Sequence, residues 1–327
     1  MILKERTVPL IIKKLEALLR RLPAEHAQRA RIEEDLSKYK AGYQGEKSLD
    51  YHLSFFQKQI IILHDIRLSD DEKHFFQIDT MIISPKFIII LEVKNIIGTL
   101  YFDQNFNQLI RIIDGKEESF SNPIIQVERQ KRQLEKWLKR HSFDKYNIIP
   151  YVVLSNPKAI IKASSNQREI AKRVIHSDLL YKNIENLESK FYPDVYTTKE
   201  IRKLAKLLIK QNQLFDQNIL EYYKIKIDVL LTGVYCTNCQ AYSMIRDKGN
   251  WHCIKCFKNS KDAHFLALMD YFLLIGNTIK NHQIRNFLHI SSIYNASRLL
   301  SKLNLPSTGS KKDKVYYLDE LSEQYFF

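Results

Sequence analysis

Between residues 59 and 114 the chain abandons a helical hydrophobic period, and this change restricts the fold more than any other feature. IIILHDIRL (60–68), QIDTMIIS (77–84), KFIIILEVKN (86–95), GTLYFD (98–103) and QLIRIID (108–114) are short and dense in β-branched residues, and turn-like DDEK, SPK and DG separate them. Runs of this length and composition suit strands, and together they read as one meander. On either side the spacing is helical: Leu10, Ile11, Leu15, Leu18 and Leu19 precede the runs, and Val127, Leu134, Trp137 and Leu138 follow them. A sheet flanked by helices of this kind is an α+β arrangement.

Five regions are expected along the chain. Residues 1–40 read as an N-terminal helical hairpin broken at Pro23, its second, charged helix covering about 24–38. Residues 41–160 hold the strands. In this region Leu49, Leu53 and Phe56, spaced four and three apart, predict a helix that begins near Gly45 and carries Glu46 in its first turn. Asn122-Pro123 starts another helix, running to about His141 with Arg129, Lys131, Arg132, Lys136, Lys139 and Arg140 opposite its apolar side. NIIPYVVLSN (147–156) is one more buried strand. Residues 161–230 form an α/β extension and helical linker, including a helix at 197–212 with a TTKE capping box. Residues 231–258 and 259–327 form two small C-terminal domains.

Composition narrows the function. With 327 residues and 45% apolar content, the chain can build real cores without disulfides. Lys and Arg number 51 against 37 Asp and Glu, a net charge of +14, which favours a polyanion as partner. Only eight glycines occur, and no GxxxxGK[ST] or GxGxxG loop can be written, which argues against an ATPase or a dinucleotide enzyme. Charges are mixed through the apolar residues of MILKERTVPLIIKKLEALLRRL, unlike a secretory core, and no apolar stretch reaches the 18 residues of a membrane span. The expectation is a soluble, cytoplasmic protein with no membrane partner.

The chemistry sits among the strands. Asp79 lies inside an apolar run, and Glu92 and Lys94 flank Val93 after five apolar residues. Residues i and i+2 share a strand face, so Glu92 and Lys94 point one way and Val93 points into the core. A tight turn at Ser84-Pro85-Lys86 would pair the two strands antiparallel and set Asp79 across from the Glu92 region. Half-buried carboxylates need a compensating cation, and Mg²⁺ (or Mn²⁺) suits two carboxylates plus waters and phosphate oxygens. Lys94 would orient an attacking water or balance charge on the transition state.

GYQGEKSL, QIDTMIIS, IIILEVKNIIGTL and NPIIQVERQ, in that order, resemble the nuclease-related domain (NERD) family of the PD-(D/E)XK nuclease superfamily, over roughly residues 40–155. The resemblance implies a restriction-endonuclease-like αβββαβ core and metal-dependent phosphodiester hydrolysis. It implies that Glu46 is the helix-borne acid, Asp79 and Glu92 the Mg²⁺ ligands, Lys94 the catalytic lysine and Gln126 the helix glutamine beside the site.

Cys236-x2-Cys239, a 13-residue spacer and Cys253-x2-Cys256 have the spacing of a zinc ribbon, with four thiolates closing a structural Zn²⁺ site. His252 adjoins Cys253 and should point to the opposite face. Beyond the ribbon, three helical segments and a basic loop and strand resemble a winged helix-turn-helix. Ser291 or Ser292 caps the third helix, Asn295, Arg298 and Lys302 face a groove, and Lys311, Lys312 and Lys314 form a wing over phosphates. The expected activity is a nuclease acting on DNA, with a homodimer as a further partner expectation. The rival readings are a non-cleaving nucleic-acid-binding or regulatory protein that uses the fold as a scaffold, and an RNA-processing enzyme.

Overall fold

The computed structural model describes residues 1–56, 60–70, 74–164 and 167–321. Its chain opens with β1 (Ile2–Lys4), α1 (Leu10–Arg21), α2 (Arg29–Leu53), β2 (Ile61–Ser69), β3 (Phe75–Ile83) and β4 (Phe87–Lys94). There follow β5 (Gly98–Asp103), β6 (Gln108–Ile113), β7 (Lys116–Ser121), α3 (Pro123–Arg140), β8 (Asn147–Leu154), β9 (Ala159–Ala163), α4 (Gln167–Ala171), β10 (Val174–His176), α5 (Leu180–Lys190) and α6 (Thr198–Gln211). Two compact units result, one of Met1–Thr7 with Tyr39–Phe215, the other of Val8–Lys38 with Asp216–Phe327.

The first unit is organised by a six-stranded sheet in the order β1-β2-β3-β4-β8-β10. β2, β3 and β4 are antiparallel neighbours, whereas β8 runs parallel to β4 and β10 parallel to β8. Every residue from Phe87 to Val93 is buried because both faces of β4 are covered, which is why the run from Phe87 to Leu91, ahead of Glu92, is continuously apolar instead of alternating. Ile88 and Ile90 pack with Val127, Trp137, Leu204 and Leu208 of α3 and α6. Phe87, Ile89, Leu91 and Val93 pack with Leu49 and Leu53 of α2 and with Leu180 and Ile184 of α5. The β3–β4 turn forms as expected: Ser84 N–H donates to Phe87 O at 3.0 Å, and Ser84 Oγ accepts from the Lys86 and Phe87 amides.

Two expectations need correction. GTLYFD and QLIRIID do not continue the same meander; β5 and β6 join β7 and β9 in a separate four-stranded sheet ordered β7-β6-β5-β9. The side of β4 away from β3 is taken by β8, and the chain leaves at Gly98 with φ 105°, where a Cβ would lie 2.8 Å from Ile112 O. The helix carrying Glu46 does not begin near Gly45 either. α2 is one continuous 25-residue helix, with Gly42 and Gly45 inside it and Glu46 in its C-terminal half.

The second unit contains α1 and, beyond α7 (Ile219–Tyr222), strands β11 (Met244–Asp247), β12 (Asn250–Cys253) and β13 (Asn259–Ser260). Then come α8 (Ala263–Leu274), β14 (Thr278–Lys280), α9 (Asn281–Leu288), α10 (Ile293–Lys302), β15 (Ser307–Thr308) and β16 (Val315–Tyr317). α1 is fixed to α8 by a buried ion group: Arg21 Nε and Arg20 Nη2 donate to the two Asp270 carboxylate oxygens at 2.8 and 2.7 Å. The Arg21 guanidinium also stacks between the Tyr242 and Phe287 rings, 4.8 and 4.6 Å from their centroids. Helices α8, α9 and α10 stand around a small antiparallel sheet ordered β14-β16-β15.

Candidate active site and metal centre

β3 and β4 bring Asp79 and Glu92 together. Their last register pair is Thr80 with Leu91, so Asp79 and Glu92 stand one step beyond it, where the pairing of the two strands ends. Asp79 Oδ2 accepts from the Val93 amide at 2.9 Å, which ties its carboxylate to the segment carrying Glu92 and Lys94. Glu92 and Lys94 share a face as the strand period requires, with Lys94 Nζ 2.7 Å from Glu92 Oε1, and Val93 packs into the opposite core. The Nζ also donates to Gln126 Oε1 at 3.3 Å. Asn122 caps α3 by accepting from the Ile124 amide, with Pro123 in the first helical position, and this cap sets Gln126 one turn into the helix beside Lys94.

Glu46 reaches the cluster from α2. Its Oε2 accepts from Arg6 Nη1 at 2.8 Å, and the same nearly buried guanidinium donates from Nε to Asp50 Oδ1 at 3.3 Å and from Nη2 to Thr80 Oγ1 and His64 Nδ1 at 2.9 and 2.8 Å. α2 seats closely because Gly45 has no side chain: a Cβ there would lie 2.4 Å from Asn95 Cβ and 2.8 Å from Ser155 Oγ. Asn95 fixes the approach by donating Nδ2 to Ala41 O at 2.9 Å.

Mutual repulsion marks this as one electrostatic neighbourhood. Burial, followed by the charges of Asp65 and Glu92, pushes the Glu46 carboxyl up to about 7 against the opposing pull of Arg6. Asp79 is raised well above the usual carboxylate range by burial and then by Glu92 and Glu46, with only the Val93 amide and Lys94 opposing. Burial, helped by Arg6 and Lys4, lowers His64 to about 3, so it is neutral at physiological pH.

Five residues that were not assigned to the site from the sequence also contribute. Arg6 comes from the segment before α1. Asp65, with φ 51°, falls between the pairs His64–Thr80 and Ile66–Ile78, across from Asp79, and burial raises its carboxyl too. Buried Gln130 sits one turn beyond Gln126 and donates Nε2 to Glu92 Oε2 at 2.8 Å and to Gln77 O at 2.9 Å. His64 and Thr80 complete the Arg6 pocket. The Gln130 position was accessible from its i+4 spacing to Gln126; Arg6 carried no periodic signal.

The donor set suits a hard divalent ion held by few carboxylates. Among the described residues, no three carboxylates place one oxygen each within 4.8 Å of one another, so an all-protein cage is not formed. Mg²⁺ uses one or two carboxylates and completes its shell with water and phosphate oxygens, and the excess negative charge here is what such an ion would neutralise.

The four cysteines do form a cage. Cys236, Cys239, Cys253 and Cys256 present their sulfurs within 4.8 Å of one another, with Cys236–Cys256 at 3.6 Å and Cys239–Cys253 at 3.5 Å. Tetrahedral zinc with ~2.3 Å bonds needs sulfurs ~3.8 Å apart, so the set fits Zn²⁺ with little adjustment. Cys253 Sγ also accepts from the Lys255 and Cys256 amides at 3.4 Å, and Cys256 Sγ from Asn238 Nδ2, bonds that favour thiolates. β11 and β12 pair as a hairpin through Lys248-Gly249, and His252 stays out of the cage.

In the C-terminal region Ser292 caps α10, accepting from the Asn295 amide, and Asn295, Arg298 and Lys302 lie exposed on that helix. Lys311 is exposed, Lys314 is half-buried with its Nζ 4.9 Å from the Tyr316 ring centroid, and the side chain of Lys312 lies outside the described residues.

Residues 41–155, which supply Glu46, Asp79, Glu92, Lys94, Gln126 and Gln130, match the family model of NERD, the nuclease-related domain. No curated protein and no solved structure matches the chain.

Proposed function

We propose that this chain is a Mg²⁺- or Mn²⁺-dependent nuclease that hydrolyses phosphodiester bonds in DNA. The observation that carries the reading is the meeting of the motif residues: Asp79 bonds the amide between Glu92 and Lys94, while Lys94 bridges Glu92 and Gln126. Asp79 and Glu92 would hold the divalent ion, which would withdraw charge from a phosphodiester and make a water acidic enough to attack it. Lys94 has three N–H donors, two of them engaged, and the third serves a phosphate oxygen or the attacking water. Gln126 keeps the ammonium on station, and Gln130 fixes the Glu92 carboxylate by occupying its other oxygen. Glu46, whose proton affinity lies near neutrality and whose position Arg6 sets, is suited to take up or return a proton.

In this reading Zn²⁺ braces the ribbon and performs no chemistry. Helices α8 to α10 with strands β14 to β16 act as a winged helix, in which Asn295, Arg298 and Lys302 enter a groove while Lys311, Lys312 and Lys314 meet phosphates. The test is incubation of purified protein with supercoiled plasmid, single-stranded DNA and RNA in Mg²⁺ or Mn²⁺, beside Asp79→Ala and Lys94→Ala. Cutting that both substitutions abolish supports the proposal. Cutting that survives both overturns it, and binding without cutting by all three proteins gives the non-catalytic reading.

A further inference from the structure

Two helices of the first unit carry the same unusual surface. On α3, Arg129, Arg132, Lys136 and Lys139 are all exposed, and at ~100° per residue they fall within an arc of about 80° directly opposite the buried face. None of the four makes an ion pair among the described residues. The acids of α3 lie off this arc and are already engaged, Glu128 with Arg173 and Glu135 with Lys131.

α6 repeats the pattern. Lys199, Arg202, Lys203, Lys206 and Lys210 are exposed within an arc of about 100°, opposite Ile201, Leu204, Ala205 and Leu208. Its one acid, Glu200, is held in the capping box with Thr197, and no ion pair of the five cations occurs among the described residues. The two helices cover the same side of the main sheet and touch near their C-termini, where Trp137 Nε1 donates to Gln211 Oε1 at 3.1 Å and Gln211 Nε2 meets His141 Nε2 at 3.1 Å.

An ordinary solvated helix face mixes signs, because like charges three or four residues apart repel. Here both faces carry cations alone, on helices that meet at their C-terminal ends. A polyanion relieves the repulsion. A membrane surface is the poorer fit, since an interfacial helix needs an apolar face for the lipid and the apolar faces of α3 and α6 are buried in the core.

We infer that the solvent faces of α3 and α6 form a track for the phosphate backbone of a nucleic acid. α3 begins at the site, where Gln126 touches Lys94, and the four cations from Arg129 to Lys139 span about 15 Å of helix axis beyond it. The direction of the track depends on the nuclease reading; its charge does not. Contacts of this kind are sequence-independent and set affinity, salt dependence and KM.

The test uses the full zinc-loaded chain with no added Mg²⁺ or Mn²⁺ and a fluorescein-labelled 30-base-pair DNA and its single strand, read by anisotropy from 50 to 300 mM salt. Compared are wild type, Arg129→Gln/Arg132→Gln/Lys136→Gln/Lys139→Gln, the corresponding five-fold α6 variant, Arg298→Gln/Lys302→Gln on α10, and Asp79→Ala. Each lost phosphate contact removes about 0.9 from the duplex salt slope, so the α3 variant should lose about 3 to 4 and bind at least tenfold more weakly at 50 mM salt. Arg129→Lys/Arg132→Lys should keep the wild-type slope, and unchanged circular dichroism of the Gln variants verifies folding. Unchanged slope and affinity in both helix variants overturn the track, even if wild type cuts plasmid. Affinity lost from the track variants but not from Asp79→Ala upholds it, even if no protein cuts. Binding to anionic phosphatidylserine vesicles that is lost in the same variants, with no DNA binding by wild type, overturns it in favour of a membrane.

Discussion

Gly42 and Gly45 lie in the same helix, and substituting alanine at each should have opposite consequences. In a helix interior alanine is favoured over glycine by ~0.5–1 kcal/mol. Around Gly42 a Cβ meets nothing within 4 Å, so Gly42→Ala should collect this gain in full. At Gly45 the new atom would lie 2.4 Å from Asn95 Cβ, and ordinary contact is reached only if α2 or the Asn95 backbone moves by roughly 1 Å. Overpacking of this kind costs ~1–3 kcal/mol, leaving a net loss of about 0–2.5 kcal/mol after the propensity gain. Each kcal/mol corresponds to about 2–4 °C in the melting of a unit of this size. The movement displaces Glu46, the next residue, from Arg6 and the acids, and a misplacement of ~1 Å can slow a reaction 10²-fold. Differential scanning calorimetry and plasmid cleavage measure both effects. If Gly45→Ala melts and cuts like Gly42→Ala, close seating of α2 at Asn95 and Ser155 is not what positions Glu46.

Two other consequences can be measured directly. Glu46 has its folded-state proton affinity raised to about 7, so its ionised form weakens the fold; that cost is absent near pH 4.5 and grows as pH rises to about 7. With no added Mg²⁺ or Mn²⁺, Glu46→Gln should gain stability relative to wild type between pH 5 and 8, by at most ~3 kcal/mol, and a pH-independent difference between the two chemical denaturation curves would refute the assignment. Metal analysis should find one zinc per chain, absent from Cys239→Ser/Cys253→Ser. Loss of the ion should cost the second unit several of the ~10–16 kcal/mol that such sites supply, read as a lower melting temperature. Full stability without zinc would remove its structural role.

The sequence made parts of this arrangement legible wherever a local signal and a tertiary constraint agreed. β4 could be read because a strand covered on both faces is apolar in consecutive residues, as from Phe87 to Leu91, and the Ser84-Pro85-Lys86 turn then put Asp79 opposite Glu92. The Cys spacing was legible because the thiolates must reach one ion. α2 was misread because Gly42 and Gly45 suggest a boundary by propensity, whereas one of them serves a close helix–strand approach. Strand propensity could not assign β5 and β6 to a second sheet, since their membership depends on β9, about 60 residues beyond β5 along the chain. Arg6 is an ordinary cation in a polar segment until folding carries it to Glu46, Asp50 and Thr80.

The site's acids are unequally satisfied, and this inequality makes a further prediction. Glu92 has both oxygens bonded, by Lys94 and Gln130, and Glu46 has Arg6. Asp79 accepts the Val93 amide alone among the described hydrogen bonds, while Glu92 and Glu46 both push its proton affinity up. Glu46 and Asp79 therefore both hold their protons above the usual carboxylate range, and interacting acids of this kind titrate together. A divalent ion bound by Asp79 must displace protons held there, so Mn²⁺ binding at pH 7 should release a measurable number of protons per ion. Calorimetry in phosphate and in Tris, whose ionisation enthalpies differ, gives this number from the difference in observed heats. Asp79→Asn should reduce both the release and the affinity, while Cys253→Ser should leave them unchanged. Equal heats in the two buffers would mean that the acids are already ionised at pH 7, and that burial and mutual repulsion do not set their charge.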